Sequence, residues 1–323
     1  MTPTPAPPSR HATPLQASIN PRRPGYVRTS PSQPSASHRG QWRTPAESSP
    51  TPWPSTPASS QAAGHPAYLR ARGITLTAIQ DWRIGYAPAG WATLTSHLQR
   101  LGHHGDAIQA AGLAARSSRG TLIDRFRDRI MLPVHDAGGQ LAGFTGRARP
   151  GAGPDVPKYL NGPDSAAYQK CHLLFGLHQA RPALARGAVP VIVEGPFDAI
   201  AVTIADPGQH AGLAPCGTAL TSQQATQLSQ AADLPRAGII VAFDSDTAGR
   251  KATVRAYGIL RPFTSTLQSA MLDGKDPAEV LQRDGPATLR SILREQRQPC
   301  PRCSSTTASS SGHGNAATSA GPS

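Results

Sequence analysis

Acidic side chains are scarce in this sequence: 19 Asp and Glu stand against 32 Lys and Arg, a formal net charge of +13 over 323 residues. Such an excess suits a polyanionic partner, although a coding bias toward Arg would also raise the count. Cysteine is scarcer still. The four, Cys171, Cys216, Cys300 and Cys303, show no spacing of a disulfide framework, which points to a reducing cytoplasm as the location. Cys300 and Cys303 form a lone CxxC, with only His313 nearby to add a ligand, so no zinc site is expected. No apolar run approaches the roughly 20 residues of a membrane span, so no membrane partner is expected.

Proline, by contrast, is crowded at one end. Fifteen of the 33 prolines precede Ala67, and Glu47 is the sole acid of that stretch. Residues 1–66 bury too little apolar surface to offset the entropy of ordering and are expected to be disordered. So much proline also forbids the amphipathic helix of a transit peptide. The Ser/Thr/Gly/Ala-rich tail from about Gln298 carries the same expectation of disorder. From Ala67 to Pro190 there are 15 basic and seven acidic residues; from Val191 to Arg297 there are ten and 11. A basic part therefore adjoins a nearly neutral one.

Two runs in the neutral part carry the chemistry: VPVIVEGPFDAIA at 189–201 and AGIIVAFDSDTAGRKA at 237–252. Each reads as a buried strand of β-branched residues that breaks into carboxylates at its C-terminal end and leads into a helix. The first delivers Glu194, with Asp198 one helical turn on; the second delivers Asp244 and Asp246. In open parallel α/β sheets ligands bind outside the carboxyl ends of the strands, so these acids are expected to meet. Oxygen-only ligands in such a cluster call for Mg2+ or Mn2+. A plainer role is helix capping, by Asp244 or Asp246 through Thr247, which accounts for one acid but not for all. Arg250 and Lys251 fall in the first helical turn, where the helix dipole disfavours cations; they either share a phosphate there or are simply solvated.

In chain order, AYLRARG reads as a short helix ending at Gly73, followed by a helix over Thr77 to Trp82 and a strand over Arg83 to Tyr86. Helical spacing of Leu94, Leu98 and Leu101 gives another helix stopping at Gly102, and one more short helix ends at Gly112. IMLPV and LAGFTGR pair as a hairpin across HDAGGQ. In RFRDR, the alternate residues Arg125, Arg127 and Arg129 share one face if extended, facing either a phosphate backbone or the interleaved Asp124 and Asp128. Residues 157–180 read as a loop followed by a helix, flanked by Lys158 and Lys170. A short strand, a turn at Cys216-Gly217-Thr218 and a helix capped by Thr221 or Ser222 come next. The last strand ends in Asp273 and Asp276, with a helix opened by Pro277. Strand–helix alternation over 189–285 predicts a small, mostly parallel sheet with helices on both faces.

EGPFDA followed by FDSDTAGR resembles the E…DxD signature of the TOPRIM domain. DRFRDRIMLPVHDAGGQLAGFTGR, PKYLNGPD, YQKCHLLFGLHQA, CGTALT and DGKDPAEVL resemble, in the same order, the catalytic core of bacterial DnaG-type primases, over roughly residues 67–285. The resemblance implies an α/β TOPRIM fold at 188–285, preceded by a mixed α+β basic subdomain at 67–187 and followed by a short helix and disordered tail at 286–323. It implies a nucleotidyltransferase making RNA primers on a single-stranded DNA template from ribonucleoside triphosphates by two-metal phosphoryl transfer, with a replicative helicase as a possible partner. Glu194, Asp244 and Asp246 are then the catalytic metal ligands, supported by Asp198 and Asp276. Arg147, Lys158 and Lys170 match basic positions along the template and nucleotide groove, with Asn161 in the same loop. The family usually begins with a zinc-binding module, for which residues 1–66 hold no cysteine. Ala278 stands where the DPD element carries its second acid. A TOPRIM nuclease and a non-catalytic nucleic-acid-binding form are the alternative readings.

Overall fold

The computed structural model describes residues 60–299 apart from Ser245, Gly274 and Gln296. The disorder expected for 1–66 and for the tail from about Gln298 falls mostly outside the described residues, and where it does not the chain is ordered, Ser60–Pro66 as the start of α1 and Gln298–Pro299 as the end of β12; the CxxC falls wholly outside them. The first part of the described chain runs α1 (Ser60–Ala71), α2 (Leu76–Asp81), β1 (Gly85–Ala87), α3 (Thr93–Arg100), α4 (Gly105–Ala110), β2 (Ala114–Arg116), β3 (Leu122–Asp124), β4 (Arg129–His135), β5 (Leu141–Ala148) and β6 (Tyr159–Asn161). It continues through β7 (Leu174–Phe175), α5 (Leu177–Ala185), β8 (Val189–Val193), α6 (Pro196–Ala205), β9 (His210–Pro215), α7 (Ser222–Ala231), α8 (Leu234–Ala237), β10 (Ile239–Ala242) and α9 (Thr247–Leu260). β11 (Leu267–Ala270), α10 (Pro277–Glu295) and β12 (Arg297–Pro299) close it.

β1, β4, β5 and β6 form an antiparallel sheet in the order β1-β4-β5-β6, centred on the expected hairpin. A second sheet has the order β12-β11-β10-β8-β9-β7. Its four inner strands are parallel and its two edges antiparallel. That is the mostly parallel sheet expected from the alternation. β8 is buried from Pro190 onward and β10 throughout, as strands covered on both faces must be.

One face of the second sheet packs Val191, Val193 and Ile240 against α6 and α10, and the same cluster takes in Ile130, Leu132 and Val134 of β4. A common core thus joins the two sheets, helped by Trp82 stacked on Phe175 with centroids 5.2 Å apart. The other face packs Ile192, Leu213 and Val241 against α5, α7 and α9. Each fully buried aliphatic side chain there contributes about 1.5–3 kcal/mol. Gly212 of β9 is forced by the packing of the first face: a Cβ would lie 2.1 Å from the carbonyl oxygen of Ala199 on α6.

Several expectations need correction. The 157–180 stretch holds two short strands, β6 and β7, one in each sheet, instead of a plain loop. Because β7 belongs to the second sheet, the two sheets do not divide at 187/188. The β2–β3 hairpin was not foreseen. Past 285 the expected short helix is present as the second half of α10, resuming at Pro286 after Gly285 at φ +82°, but it leads on to an edge strand, β12, that the sequence does not announce. RFRDR is not extended, since Asp128 adopts φ +52° before β4 begins. The shared arginine face therefore does not form.

Candidate active site

Glu194 follows the last residue of β8, and Gly195 caps α6, whose first residue is Pro196. Proline suits that position because it lacks the N–H that a helix start leaves unpaired. Asp198, in the first turn, is buried and accepts two backbone N–H groups: Gly195 at 3.1 Å and Ala278 at 3.2 Å. β8 and β10 are neighbours, so the acids after each strand meet. The Asp244 backbone N–H donates to Glu194 Oε1 at 3.2 Å. Asp276 caps α10 by accepting the Glu279 N–H at 2.6 Å.

Glu194, Asp198, Asp244 and Asp276 line one cavity of about 190 Å³, together with Arg72, Arg147 and Lys158. Their charges oppose one another. Burial and then Asp244 hold the Glu194 carboxyl above its ordinary range, with Asp246 and Asp276 adding to the rise. Burial, Asp276 and Asp246 raise Asp244, while Lys158 pulls it back. Burial and Asp276 push Asp198 up to about 7. A site that disfavours its own ionised form is one that a cation relieves.

Asp246 takes the capping role, one of its two readings. It lies outside the cavity lining and serves as N-cap of α9, accepting the Gly249 N–H at 2.7 Å. Gly249 is required there, because a Cβ would come 2.0 Å from the Asp244 carbonyl oxygen. The expected trio of Glu194, Asp244 and Asp246 is therefore not a closed cage. Among the described residues no three His, Cys, Asp or Glu side chains form a group able to hold a metal ion as they stand. Mg2+, however, is commonly held by one or two carboxylates, with water and substrate phosphates completing its shell. An all-oxygen donor set spread around an open cavity fits that ion.

Beside the carboxylates lies a cavity of about 350 Å³ lined by Arg72, Arg147, Arg149, Lys158, Tyr68 and Gln282, with no acid in its wall. Arg72, Arg147 and Lys158 line both cavities. Arg147, on β5, is buried, lies against the Phe197 and Tyr159 rings and donates to Tyr159 Oη at 2.8 Å. Arg72 sits over the Tyr68 ring, and its Nε is buried without a partner. Sequence reasoning missed Arg72 and Arg149. An arginine at the end of a helix ordinarily complements the helix dipole, so nothing in ARG singled out Arg72.

The other basic candidates lie apart from the cavities. Arg125 donates to the Asn161 carbonyl at 3.0 Å, and Asn161 Oδ1 accepts Tyr168 Oη at 3.3 Å. Arg127 lies over the Trp91 ring, 4.3 Å from its centroid, and donates to the Asp124 carbonyl. Arg129 is buried, bound to the carbonyls of Gly146 and Pro157, and serves to join strands rather than to meet a ligand. The side-chain pairing considered for RFRDR is not formed either. Asp124 instead accepts the Leu94 and Thr95 N–H groups at the start of α3, and Asp128 pairs with Arg149. Lys170 reaches Asp164 at 3.4 Å. Arg250 donates to Thr247 Oγ1 at 3.2 Å, and Lys251 is exposed in the same first turn of α9.

Comparison with known proteins places this arrangement. Residues 56–181 match the family described as DNA primase catalytic core, N-terminal domain, and residues 191–281 match a Toprim-like family. A DNA primase of Synechococcus elongatus is 41% identical over 235 residues, 70% of this chain and 33% of the relative. The chain thus spans about a third of the length of that curated relative. The crystal structure of the RNA polymerase domain of Mycobacterium tuberculosis primase DnaG superposes with a TM-score of 0.66 at 32% identity, covering 75% of this chain and 78% of that one. The same domain in complex with a double-stranded DNA oligomer with a 6-nucleotide overhang gives 0.64 at 30% identity, covering 75% of each. From the ordered motifs, the two sheets and these likenesses, the chain belongs to the family of DnaG-type DNA primase catalytic cores.

Proposed function

We propose that this chain carries out nucleotidyl transfer, joining ribonucleoside triphosphates into short RNA primers on a single-stranded DNA template. The observation that carries this reading is the juxtaposition of an acidic cavity with an acid-free basic one that shares Arg72, Arg147 and Lys158 with it. A triphosphate is a polyanion with one reacting phosphorus, and this pair of cavities offers cations along its length and carboxylates at one end. DNA binding by related domains supports the template assignment, since one of them was solved with a DNA oligomer bound. A helicase partner rests on the family resemblance and a cytoplasmic location on the cysteine usage; no described helix is long and apolar enough to cross a membrane.

Glu194, Asp244 and Asp276 would hold divalent ions, with Asp198 and Asp246 behind them. When bound, such ions neutralise charge developing on the phosphoryl oxygens. The chain's own residues do the rest. Lys158 and Arg147 orient the triphosphate by charge and planar hydrogen bonding. Arg72, already desolvated at Nε, gains most from an anion arriving beside it. Asp198 closes the start of α6 at Gly195 and joins α6 to α10 through Ala278, beside the cavity that Glu194 and Asp276 both line.

One assay tests this: the chain with single-stranded DNA, labelled ribonucleotides and Mg2+. New oligoribonucleotides are expected. Shortened template would favour a nuclease, and retention without chemistry a binding protein; either result would displace the proposal.

A further inference from the structure

The exposed face of α9 is cationic from end to end. At about 100° per residue, Arg250, Lys251, Val254, Arg255, Gly258 and Arg261 fall within an arc of about 140°. All six are exposed, and no carboxylate occurs between Thr247 and Arg261. Among the described residues Lys251, Arg255 and Arg261 enter no ion pair. Like charges stacked along a helix destabilise it, and no carboxylate among the described residues pairs with Lys251, Arg255 or Arg261 to offset that.

Gly258 is a second, independent observation. Among the described residues a Cβ there would meet nothing within 4 Å, so none of them requires glycine at this position. Glycine inside a helix also weakens it relative to alanine. The missing side chain makes sense if something from outside comes close to the helix between Arg255 and Arg261. Val254, 40% exposed, lies alongside.

We propose that this face of α9 supports the sugar–phosphate backbone of the RNA–DNA hybrid as it leaves the active site. The inference rests on the nucleotidyl-transfer reading above. α9 starts at Asp246, two residues past Asp244, so Arg250 and Lys251 stand a turn from the carboxylates and Arg261 roughly 16 Å along the axis. Residues four apart on one helix face, such as Lys251 and Arg255, are spaced about as successive phosphates of one strand. The basic cavity is built by α1, β5, the loops flanking them and Gln282 of α10, elements apart from α9. Two separate cationic surfaces thus adjoin the carboxylates, one for the incoming triphosphate and template and one for the outgoing duplex. An A-form duplex presents a wide, shallow minor groove edged by phosphates and 2′-hydroxyls, which suits a flat strip of Val254 and Gly258 rimmed by cations.

The test is binding of a preformed, fluorescently labelled RNA–DNA hybrid to the full chain without nucleotides or Mg2+, across a salt series, beside single-stranded DNA of equal length. Arg255→Ala with Arg261→Ala is expected to lower the salt slope for the hybrid by about two, one per lost phosphate contact. Hybrid affinity falls several-fold more than single-strand affinity. Gly258→Glu places a better helix former and a negative charge in the strip, so thermal stability holds or rises while hybrid binding weakens. Unchanged hybrid affinity and slope in both variants overturns the proposal, as does a loss equally large on single-stranded DNA. Because the hybrid is preformed, a wild-type chain that binds it through α9 yet makes no primers keeps this surface and sinks the catalytic reading instead.

Discussion

Asp198 Oδ1 accepts the backbone N–H of Ala278 at 3.2 Å across 80 positions of sequence. The contact ties the first turn of α6 to the first turn of α10. Position 278, an alanine, takes part in the site through its main chain. Asp276, two residues earlier, still lines the cavity.

Asp244→Asn is expected to abolish primer synthesis while single-stranded DNA retention stays within a few-fold, measured by product formation and filter binding in parallel. Asp246 separates two roles. Asp246→Ala loses the α9 cap and about 0.5–2 kcal/mol of stability. Asp246→Asn keeps a capping oxygen, so any loss of activity at unchanged Tm reports a part in metal binding.

The raised carboxyls make stability depend on pH and on Mg2+. Asp198 is pushed up to about 7, and Glu194 and Asp244 are also raised, so the folded site binds more protons than the unfolded chain. The stability they add is full below about pH 4, the ordinary carboxylate range, and is lost as pH rises through about 7. Mg2+ should therefore raise Tm more at about pH 8 than at about pH 5. Asp244→Asn should flatten that difference; an equal Mg2+ response in variant and wild type would remove Asp244 from the ligand set.

Arg72→Ala is expected to raise the KM for ribonucleotides about ten-fold or more, by loss of a charge-assisted phosphate contact, with little effect on Tm because Arg72 is half-buried at the cavity wall. Initial rates against nucleotide concentration test this. A fall in kcat at unchanged KM would place Arg72 elsewhere in the reaction.

At the far end of α6, Asp206 accepts both Arg294 Nε and a second Arg294 nitrogen at 2.8 Å and pairs with His210 at 2.8 Å. Burial alone would raise Asp206, but the Arg294 and His210 hydrogen bonds outweigh it and hold the carboxyl low. Burial pushes His210 down against the pull of Asp206. Both shifts act in one direction: their stability is present above the ordinary values and lost as pH falls through the folded ones. Protection factors of the Leu289–Leu293 amides against hydrogen exchange should therefore fall in acid, and in Asp206→Asn at neutral pH. Protection unchanged in that variant would show that apolar packing alone holds the second half of α10.

The signals legible in the sequence were those written in contiguous residues. VPVIV and IIVA announced buried parallel strands because strands covered on both faces must be apolar throughout, and Glu194 and Asp244 fell at their ends. The IMLPV–LAGFTGR hairpin was legible because the strand pattern and its Gly-rich turn are local backbone chemistry. β2, β3, β6 and β7, at two or three residues each, are too short to show any period. Their existence depends on partners far along the chain.

Side-chain direction likewise belonged to the tertiary structure. Arg125, Arg127 and Arg129 alternate in sequence, yet the positive φ of Asp128 sends one into the core and another onto Trp91. Arg72 looked like a helix-end cation until folding set it beside Lys158 and four carboxylates. A motif specifies which groups are present and how the backbone near them turns. Which groups share a solvent-poor cavity, and so hold one another's charge, follows from the packing of α1, β5, β8 and β10 around a common core.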